Sequence, residues 1–220
     1  MFTRELQKIE TSAFLLGPRG TGKSTWIQQN YKDDSVVYDL LNTTELIRLS
    51  RNPSLIYQET AHLPPDSWVI VDEIQKVPAL LNEVHRIIEE KKLRFILSGS
   101  SARKLKASGV NLLAGRALTC NMFPLVSKEV NFDLDLEKRI AFGMLPGSFS
   151  AANPKKFLQA YAETYLKEEI REEALTRNFG SFARFLEIAA RQNGQLTNTA
   201  AIARDAGVAR QTVQGYFDIL

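Results

Sequence analysis

The stretch Gly17-Pro18-Arg19-Gly20-Thr21-Gly22-Lys23-Ser24 decides the fold, because it has the G-x-x-x-x-G-K-[S/T] spacing of a phosphate-binding loop. An apolar segment, Phe14–Leu16, precedes this stretch, and a helical pattern from Ser24 to Gln29 follows it. A strand before the loop and a helix after it are the setting that the motif needs, since backbone N–H groups at the helix start bind phosphate oxygens. We therefore predict that Gly17 to Thr25 bind the phosphates of a nucleoside triphosphate.

Two side chains of this loop have predicted roles. Lys23 is placed to reach the β- and γ-phosphate oxygens, and the Ser24 hydroxyl is placed to ligate a magnesium ion. The structural alternative is a glycine- and proline-containing turn that binds no ligand. The strand and helix patterns on either side favour the phosphate-binding interpretation.

A second apolar run, Trp68–Val71, leads into the adjacent carboxylates of Asp72 and Glu73. A buried strand here places Asp72 at its carboxyl end beside the loop, where a residue that organises magnesium is expected. Glu73 is then the predicted base that orients or deprotonates the attacking water, a role worth roughly 10²- to 10⁴-fold in rate. The alternative is a pair of solvated acids after a core strand.

A third buried run, Phe95–Leu97, is followed by hydroxyl side chains. Ser98 is the predicted polar sensor of the γ-phosphate or the attacking water, and Ser100 is the second choice. A helix N-cap for the segment that begins at Ser101 is the alternative, and both roles are compatible.

Two arginines are candidates for neutralising the charge that develops on the γ-phosphoryl group, namely Arg103 and Arg116. The sequence leaves open whether either acts in its own subunit or in a neighbouring one. For each, a solvated surface arginine is the alternative.

The fold class follows from the alternation of short apolar strands with helical stretches between Ser12 and about Phe123. Such alternation predicts an α/β fold in which helices cover a parallel sheet of five strands. The predicted strands are Phe14–Leu16, Val36–Asp39, Trp68–Asp72, Phe95–Ser98 and Ala117–Asn121.

The strand signals fade beyond Pro124, and this change predicts the domain organisation. Residues 1–125 form the predicted nucleotide-binding domain, and residues 126–152, with their glycine and proline breaks, form a predicted linker. Asn153-Pro154 is a good helix start, so residues 153–220 form a predicted all-helical domain.

The end of this helical domain has the spacing of a helix-turn-helix, with Ala203, Gly207 and Val213 as the small, turn and apolar positions. Its second helix would present a polar set that suits phosphate and base-edge contacts, namely Arg210, Gln211, Thr212 and Gln214. Residues 191–220 contain three arginines against two aspartates, however, which is little charge for binding duplex DNA. We therefore favour a packing element or protein contact, with DNA contact as the alternative.

Composition excludes some classes of protein. The net charge of +3, from 28 Lys+Arg and 25 Asp+Glu, supports an anionic partner only weakly. A single cysteine, Cys120, excludes an intrachain disulfide and fits a reducing compartment. No apolar run has the length of a membrane span, and the first residues are unlike a signal peptide. We expect a cytoplasmic protein that does not contact a membrane.

Four stretches, GPRGTGKST, VIVDEIQKVPALLNEVH, FILSGSSARKL and LLAGRALTCNMFPLVSKEV, together resemble a bacterial and archaeal family of AAA-type ATPases of the ASCE class. The resemblance covers residues 1 to 220. It implies that Gly17 to Thr25 are the Walker A loop, Asp72 and Glu73 the Walker B pair, Ser98 the sensor, and Arg116 the arginine that follows a glycine. The chain departs from similar proteins at Glu169, where an Arg-Asp pair is often found.

Members of that family continue past a winged-helix region into another C-terminal domain. The last five residues of this chain include four apolar ones, so we expect a truncated chain with an incomplete helix-turn-helix or winged helix.

The leading functional hypothesis is an ATPase that uses ATP and magnesium to drive or gate a conformational change of its helical domain. The alternative is a nucleotide-controlled switch or DNA-binding regulator with little turnover. A small-molecule kinase is a third class, but the adjacent Glu73 favours water as the acceptor. GTP is disfavoured, since no [N/T]-K-x-D stretch occurs. ATP or ADP, DNA, a protein partner and further copies of the chain are the expected partners.

Overall fold

The structure, a computed structural model, describes residues 2–32, 35–100, 113–173 and 179–219. The chain divides into two compact units, Met1–Ala152 and Asn153–Leu220. None of the helices in the described ranges combines the length and the apolar character that crossing a bilayer requires.

The first unit contains a five-stranded sheet with the order β2-β3-β4-β1-β5, and every pair in it is parallel. The strands are β1 (Ala13–Leu16), β2 (Ser35–Asp39), β3 (Trp68–Asp72), β4 (Arg94–Gly99) and β5 (Leu118–Asn121). The predicted five-stranded parallel sheet is therefore confirmed. Because β4 lies between the strand before the phosphate loop and the strand that ends in Asp72, the sheet also has the added strand of the ASCE class.

Strand sequences explain this order. The central strands β1, β3 and β4 are almost entirely apolar and buried, as expected for parallel strands covered on both faces. Most residues of the edge strands β2 and β5 are partly or fully exposed to solvent. The helices of this part are α1 (Lys23–Tyr31), α2 (Thr43–Arg51), α3 (Leu55–Glu59) and α4 (Leu80–Lys91).

Alternating side chains of the central strands build a separate core on each face of the sheet. Phe14 and Leu16 of β1 point into one core, which includes buried residues of α4. Ala13 and Leu15 point into the other, which includes Trp26 of α1. Successive side chains of a strand point to opposite faces, so apolar residues at consecutive positions produce a three-layer arrangement.

Residues 126–152, which the sequence analysis assigned to a linker, contain short helices within the first unit. They are a 3₁₀ turn at Ser127–Val130, α5 (Leu136–Phe142) and α6 (Pro146–Ser150). The Asp135 side chain caps α5 by accepting a hydrogen bond from the Lys138 N–H. A backbone hydrogen bond, 2.8 Å long, from Leu125 N to Met144 O joins the residue before this region to the segment between α5 and α6.

The regular elements in the described part of the second unit are all helices, namely α7 (Pro154–Glu173), α8 (Phe179–Arg191), α9 (Thr199–Ala206) and α10 (Arg210–Ile219). Asn198 caps α9, and Gly207 ends it in the left-handed conformation, with φ of 67°. The aromatic rings of Phe182, Phe185 and Tyr216 pack together in the core of α8, α9 and α10. The predicted helical region is confirmed, and α9, the turn at Gly207 and α10 occupy the segment that the sequence predicts as a helix-turn-helix.

Candidate nucleotide site

The phosphate loop leaves the carboxyl end of β1 and is held against the two neighbouring strands. Gly17 N donates a 3.3 Å hydrogen bond to Gly99 O at the end of β4. A Cβ atom on Gly17 would lie 2.1 Å from Met122 O, which immediately follows β5. Glycine is therefore required here by the close approach of the next backbone segment, and the loop begins at a fixed point.

Helix α1 begins at the end of this loop without a side-chain cap. Its N-cap residue Gly22 has φ of 94°, and no acidic residue lies in the first turn. The backbone N–H groups of a helix start need acceptors, and here no side chain of the cap supplies one. The start of α1 is therefore suited to bind an anion such as phosphate.

The Lys23 side chain is turned into the loop. Its Nζ donates to Gly17 O at 2.8 Å and to Pro18 O at 3.1 Å, and the residue is buried. Two carbonyls of the loop thus hold the ammonium group close to the start of α1. Thr21 also folds back on the loop, since its hydroxyl donates to Pro18 O at 2.9 Å.

The predicted metal ligands lie side by side. Ser24 Oγ donates to Asp72 Oδ2 at 2.8 Å, although the two residues come from different elements. Two adjacent oxygen ligands of octahedral magnesium lie about 3 Å apart, since each sits about 2.1 Å from the ion. One carboxylate and one hydroxyl are few ligands, but magnesium usually takes the remaining oxygens from phosphates and water. The residues present therefore fit a magnesium ion that arrives with a nucleotide.

Ser98 joins the two carboxylate residues. Its buried hydroxyl donates to Asp72 Oδ1 and accepts from the Glu73 backbone N–H at 3.2 Å. Glu73 itself has left-handed backbone angles, with φ of 60° and ψ of 45°. Non-glycine residues in this conformation are strained and often lie in functional sites, because the surrounding structure has to hold them there.

Arg116 lies at the amino ends of the strands, whereas the phosphate loop lies at their carboxyl ends. It precedes β5 by two residues, and the first residue of β5, Leu118, pairs with the first residue of β1, Ala13. Its guanidinium forms an ion pair with Glu89 near the end of α4, and the hydrogen bond and positive charge of Arg116 lower the pKa of Glu89. Arg116 is therefore not brought to the phosphate loop of its own chain.

The other predicted residues have different outcomes. Arg103 lies outside the described residues. Arg19, Gly20 and Thr25 are exposed within the loop and at the start of α1. Lys23, Ser24, Asp72, Glu73 and Ser98 are all brought together at the carboxyl ends of the strands, as the sequence pattern predicts.

Sequence reasoning missed Arg4 and Glu129. Arg4 donates through Nε to Glu129 Oε1 at 2.9 Å and through Nη1 to Thr21 O in the phosphate loop at 2.7 Å. The side chains of this ion pair are only 8% and 4% exposed. No local pattern could reveal it, because the partners lie 125 residues apart in sequence.

Gln75 was also missed, although it follows the carboxylate pair by two residues. Its carboxamide donates a hydrogen bond to Glu73 Oε2. Its nearness to Glu73 in sequence was the available signal.

A cavity of about 240 Å³ opens beside the loop. Its wall combines the N-terminal segment, α1 and α6, and includes Phe2, Arg4, Thr25, Trp26, Gln29 and Pro146. The wall is mainly apolar, with the carboxamide of Gln29 as one of its polar groups. A flat, partly polar ring system is the kind of ligand that such a cavity accommodates.

Comparisons with known proteins match two families to the chain. The family described as AAA domain matches residues 10–131, and a second family, described as Domain of unknown function (DUF8612), matches residues 133–220. No curated protein sequence matches the chain.

Similar solved structures include the replication initiator DnaA bound to AMPPCP and single-stranded DNA, with 14% identity and a TM-score of 0.45. That match covers 97% of this chain and 82% of the other. The Aeropyrum pernix Orc1 protein in complex with DNA has 12% identity and a TM-score of 0.41, and its match covers 94% of this chain and 76% of the other.

Proposed function

This chain belongs to the AAA domain family, and on that premise we propose that it binds ATP with magnesium and hydrolyses it. One observation carries the proposal, namely the hydrogen-bonded connection from Ser24 to Asp72 and from Asp72 to Ser98. It joins the phosphate loop to the carboxylate pair across β1, β3 and β4. Turnover then drives or gates a conformational change of the helical unit.

In this mechanism the start of α1 and the Lys23 ammonium hold the phosphates. Ser24 and Asp72 would hold a magnesium ion, which when bound would neutralise charge on the phosphate oxygens. Glu73 orients a water molecule and accepts its proton as the water attacks the γ-phosphorus and the bond to the β-phosphate oxygen breaks. The products are ADP and inorganic phosphate.

The cavity beside the loop supports adenine as the base. It lies next to Thr21 and Gly22, so a nucleotide with its phosphates on the loop can place its base there. Phe2, Trp26 and Pro146 offer apolar surface to a purine ring. The Gln29 carboxamide supplies one donor and one acceptor, which suits the amino group and ring nitrogen of adenine.

Gln29→Ala is expected to weaken ATP binding about fivefold while leaving inorganic triphosphate binding unchanged, since one hydrogen-bonding group contributes about 1 kcal/mol. Calorimetric titration with ATP, GTP and triphosphate measures this. Equal weakening for ATP and triphosphate would place the base elsewhere.

Magnesium-dependent release of phosphate from ATP tests the main proposal, with calorimetry as the measure of binding. Glu73→Gln is expected to bind ATP like the wild type and to lose roughly 10²- to 10⁴-fold in turnover. Glu10→Gln, which removes one negative charge at an exposed position, is the matched control. Equal turnover by wild type and Glu73→Gln would refute the role of Glu73, and binding without turnover in wild type would favour the nucleotide-controlled switch.

The position of Arg116 supports a role in a neighbouring copy rather than in its own chain. Lys23→Ala and Arg116→Ala are each expected to be nearly inactive alone, but a mixture should regain turnover, because one copy binds ATP and the other supplies the arginine. Sedimentation of the mixture reports the assembly. A mixture no more active than its parts would return Arg116 to a surface role.

The helical unit supports DNA as a second candidate ligand. Arg210, Gln211 and Gln214 lie exposed on one face of α10, whereas Val213 and Tyr216 on the other face are buried. Arginine and glutamine are side chains that read guanine and adenine in the major groove. Coupling of this face to ATP turnover would make the protein a DNA-responsive ATPase.

Fluorescence anisotropy with duplex DNA at two salt concentrations tests this candidate. Arg210→Ala is expected to weaken binding, and Lys155→Ala, which removes the same charge from the exposed start of α7, is expected to change it less. Absence of wild-type binding at low salt would leave the helix-turn-helix as a packing element.

A further inference from the structure

Gln75 makes a set of contacts that ties the predicted general base to a second strand. Its Nε2 donates to Glu73 Oε2 and also to Ser100 Oγ, the latter at 3.2 Å. Glu73 follows β3, and Ser100 follows β4. One carboxamide therefore links the carboxyl ends of two neighbouring strands at the point where the proposed chemistry takes place.

The orientation of this carboxamide follows from its partners. An ionised carboxylate only accepts hydrogen bonds, so the nitrogen of Gln75 has to face Glu73. The carbonyl oxygen Oε1 then faces Gly99, and it finds no hydrogen-bond donor among the described residues. A buried carbonyl in that position is unfavourable, which indicates that the contact with Glu73 determines the orientation.

Gly99 makes room for this arrangement. A Cβ atom at position 99 would lie 2.7 Å from Gln75 Oε1, closer than real Cβ contacts, whereas its next neighbour is Leu16 Cδ2 at 3.4 Å. A methyl group at position 99 would therefore displace the end of the Gln75 side chain.

We propose that Gln75 is a positioning residue that holds the Glu73 carboxylate in the orientation from which it acts on water. This role rests on the proposed ATP hydrolysis. A glutamate side chain has several rotatable bonds, and Glu73 also starts from a strained backbone position. Fixing one carboxylate oxygen limits the orientations of the other, and a displacement of about 1 Å in an active site can cost about 10²-fold in rate.

The first test replaces Gln75 with methionine, which keeps the length of the side chain but cannot donate a hydrogen bond. Gln75→Met is expected to lower kcat about 10- to 100-fold, with KM and calorimetric ATP affinity unchanged. Gln75→Glu, which places a second carboxylate beside Glu73, is expected to be at least as slow. Gln58→Met on the exposed face of α3 is the matched control.

The second test separates positioning from a general structural effect. Gly99→Ala should displace the carboxamide and slow the wild type by a similar factor. In the Gln75→Ala background the same change should have little further effect, because the atom that it would meet is gone. Thermal melting of each variant confirms that it is folded before its kcat is compared.

The outcomes are distinct. Reduced kcat at constant KM, together with non-additivity of the two positions, supports the positioning role. A folded Gln75→Met variant with wild-type kcat overturns this role while ATP hydrolysis stands, and so does a Gly99→Ala effect of equal size in both backgrounds. Absence of magnesium-dependent turnover in the wild type overturns the hydrolysis proposal and the role of Gln75 with it.

Discussion

Two arginine–glutamate ion pairs lie in different regions of the first unit and differ in their exposure to solvent. Arg4 and Glu129, beside the phosphate loop, have side chains only 8% and 4% exposed. Arg116 and Glu89, at the amino edge of the sheet, are 36% and 47% exposed. Arg4 also donates to the backbone carbonyls of Thr21 and Phe123, at 2.7 Å and 2.6 Å.

This difference shows that residue type alone does not assign a role. The Arg4 guanidinium joins the N-terminal segment, the phosphate loop and the residues after β5 into one structure. Water surrounds the Arg116 pair and weakens its electrostatic contribution. The fold should therefore depend more on the buried Arg4–Glu129 pair than on the exposed Arg116–Glu89 pair.

The largest difference between the two regions is expected for nucleotide binding. Lys23→Ala should abolish detectable ATP binding, since it removes the buried ammonium that the loop holds at the proposed phosphate site. Lys8→Ala, which removes an exposed ammonium from the N-terminal segment, should leave the affinity nearly unchanged. Calorimetric titration with ATP and magnesium measures both variants, and wild-type affinity in Lys23→Ala would contradict the assignment of the loop.

The buried ion pair should have the largest effect on stability. Arg4→Met leaves the Glu129 carboxylate buried without its cation, which should lower the free energy of unfolding by about 3–5 kcal/mol. Urea denaturation measures this. The double variant Arg4→Met/Glu129→Met should recover part of the loss, because no charge is then left unpaired. A single-variant loss below about 1 kcal/mol would show that water solvates this pair as it does the exposed one.

Two buried serines allow the carboxyl and amino ends of the strands to be compared directly. Ser98 Oγ accepts from Glu73 N at the carboxyl edge, and Ser12 Oγ accepts from Phe95 N at 3.0 Å at the amino edge. Replacing either with alanine leaves a backbone N–H without its acceptor and should lower the free energy of unfolding by about 1–3 kcal/mol. Only Ser98→Ala should also slow ATP turnover, because only Ser98 bonds to Asp72. Equal turnover by both variants would remove Ser98 from the site.

The smallest effects on the stability of the fold are expected at the exposed Arg116–Glu89 pair. The pKa of Glu89 is lowered by the hydrogen bond and charge of Arg116, so Arg116→Ala should raise it toward the ordinary glutamate value. The contribution of the pair to stability is fully present above the ordinary pKa of glutamate and is lost as the pH falls through the lowered value. NMR titration of the Glu89 carboxylate measures the shift, and an unchanged pKa would show that the pair is absent in solution.

Much of the site could be predicted because its residues lie at the ends of strands. An apolar run that ends in Asp72 and Glu73, and another that ends in Ser98, place all three at one edge once the strands are parallel. The phosphate loop follows a third strand and reaches the same edge. The local sequence pattern and the geometry of a parallel sheet are therefore enough to predict the cluster of Lys23, Ser24 and Asp72.

The position of Arg116 could not be predicted, because no strand pattern fixes it at one end of the sheet. Its motif, a glycine followed by arginine, does not say at which end of a strand it lies. The register of β5 against β1 places it at the amino edge. The contact between Arg4 and Glu129 likewise depends on the packing of segments far apart in sequence.

The sequence by itself determined the phosphate loop, the five strands along the chain, and the residues at their carboxyl ends, because periodicity and motif spacing act over short distances. The tertiary structure decided which side chains meet from distant segments: the burial of Arg4 with Glu129, the fit of Gln75 against Gly99, and the separation of Arg116 from the loop. These depend on strand register and on close packing, which arise only when the whole sheet and its covering helices assemble.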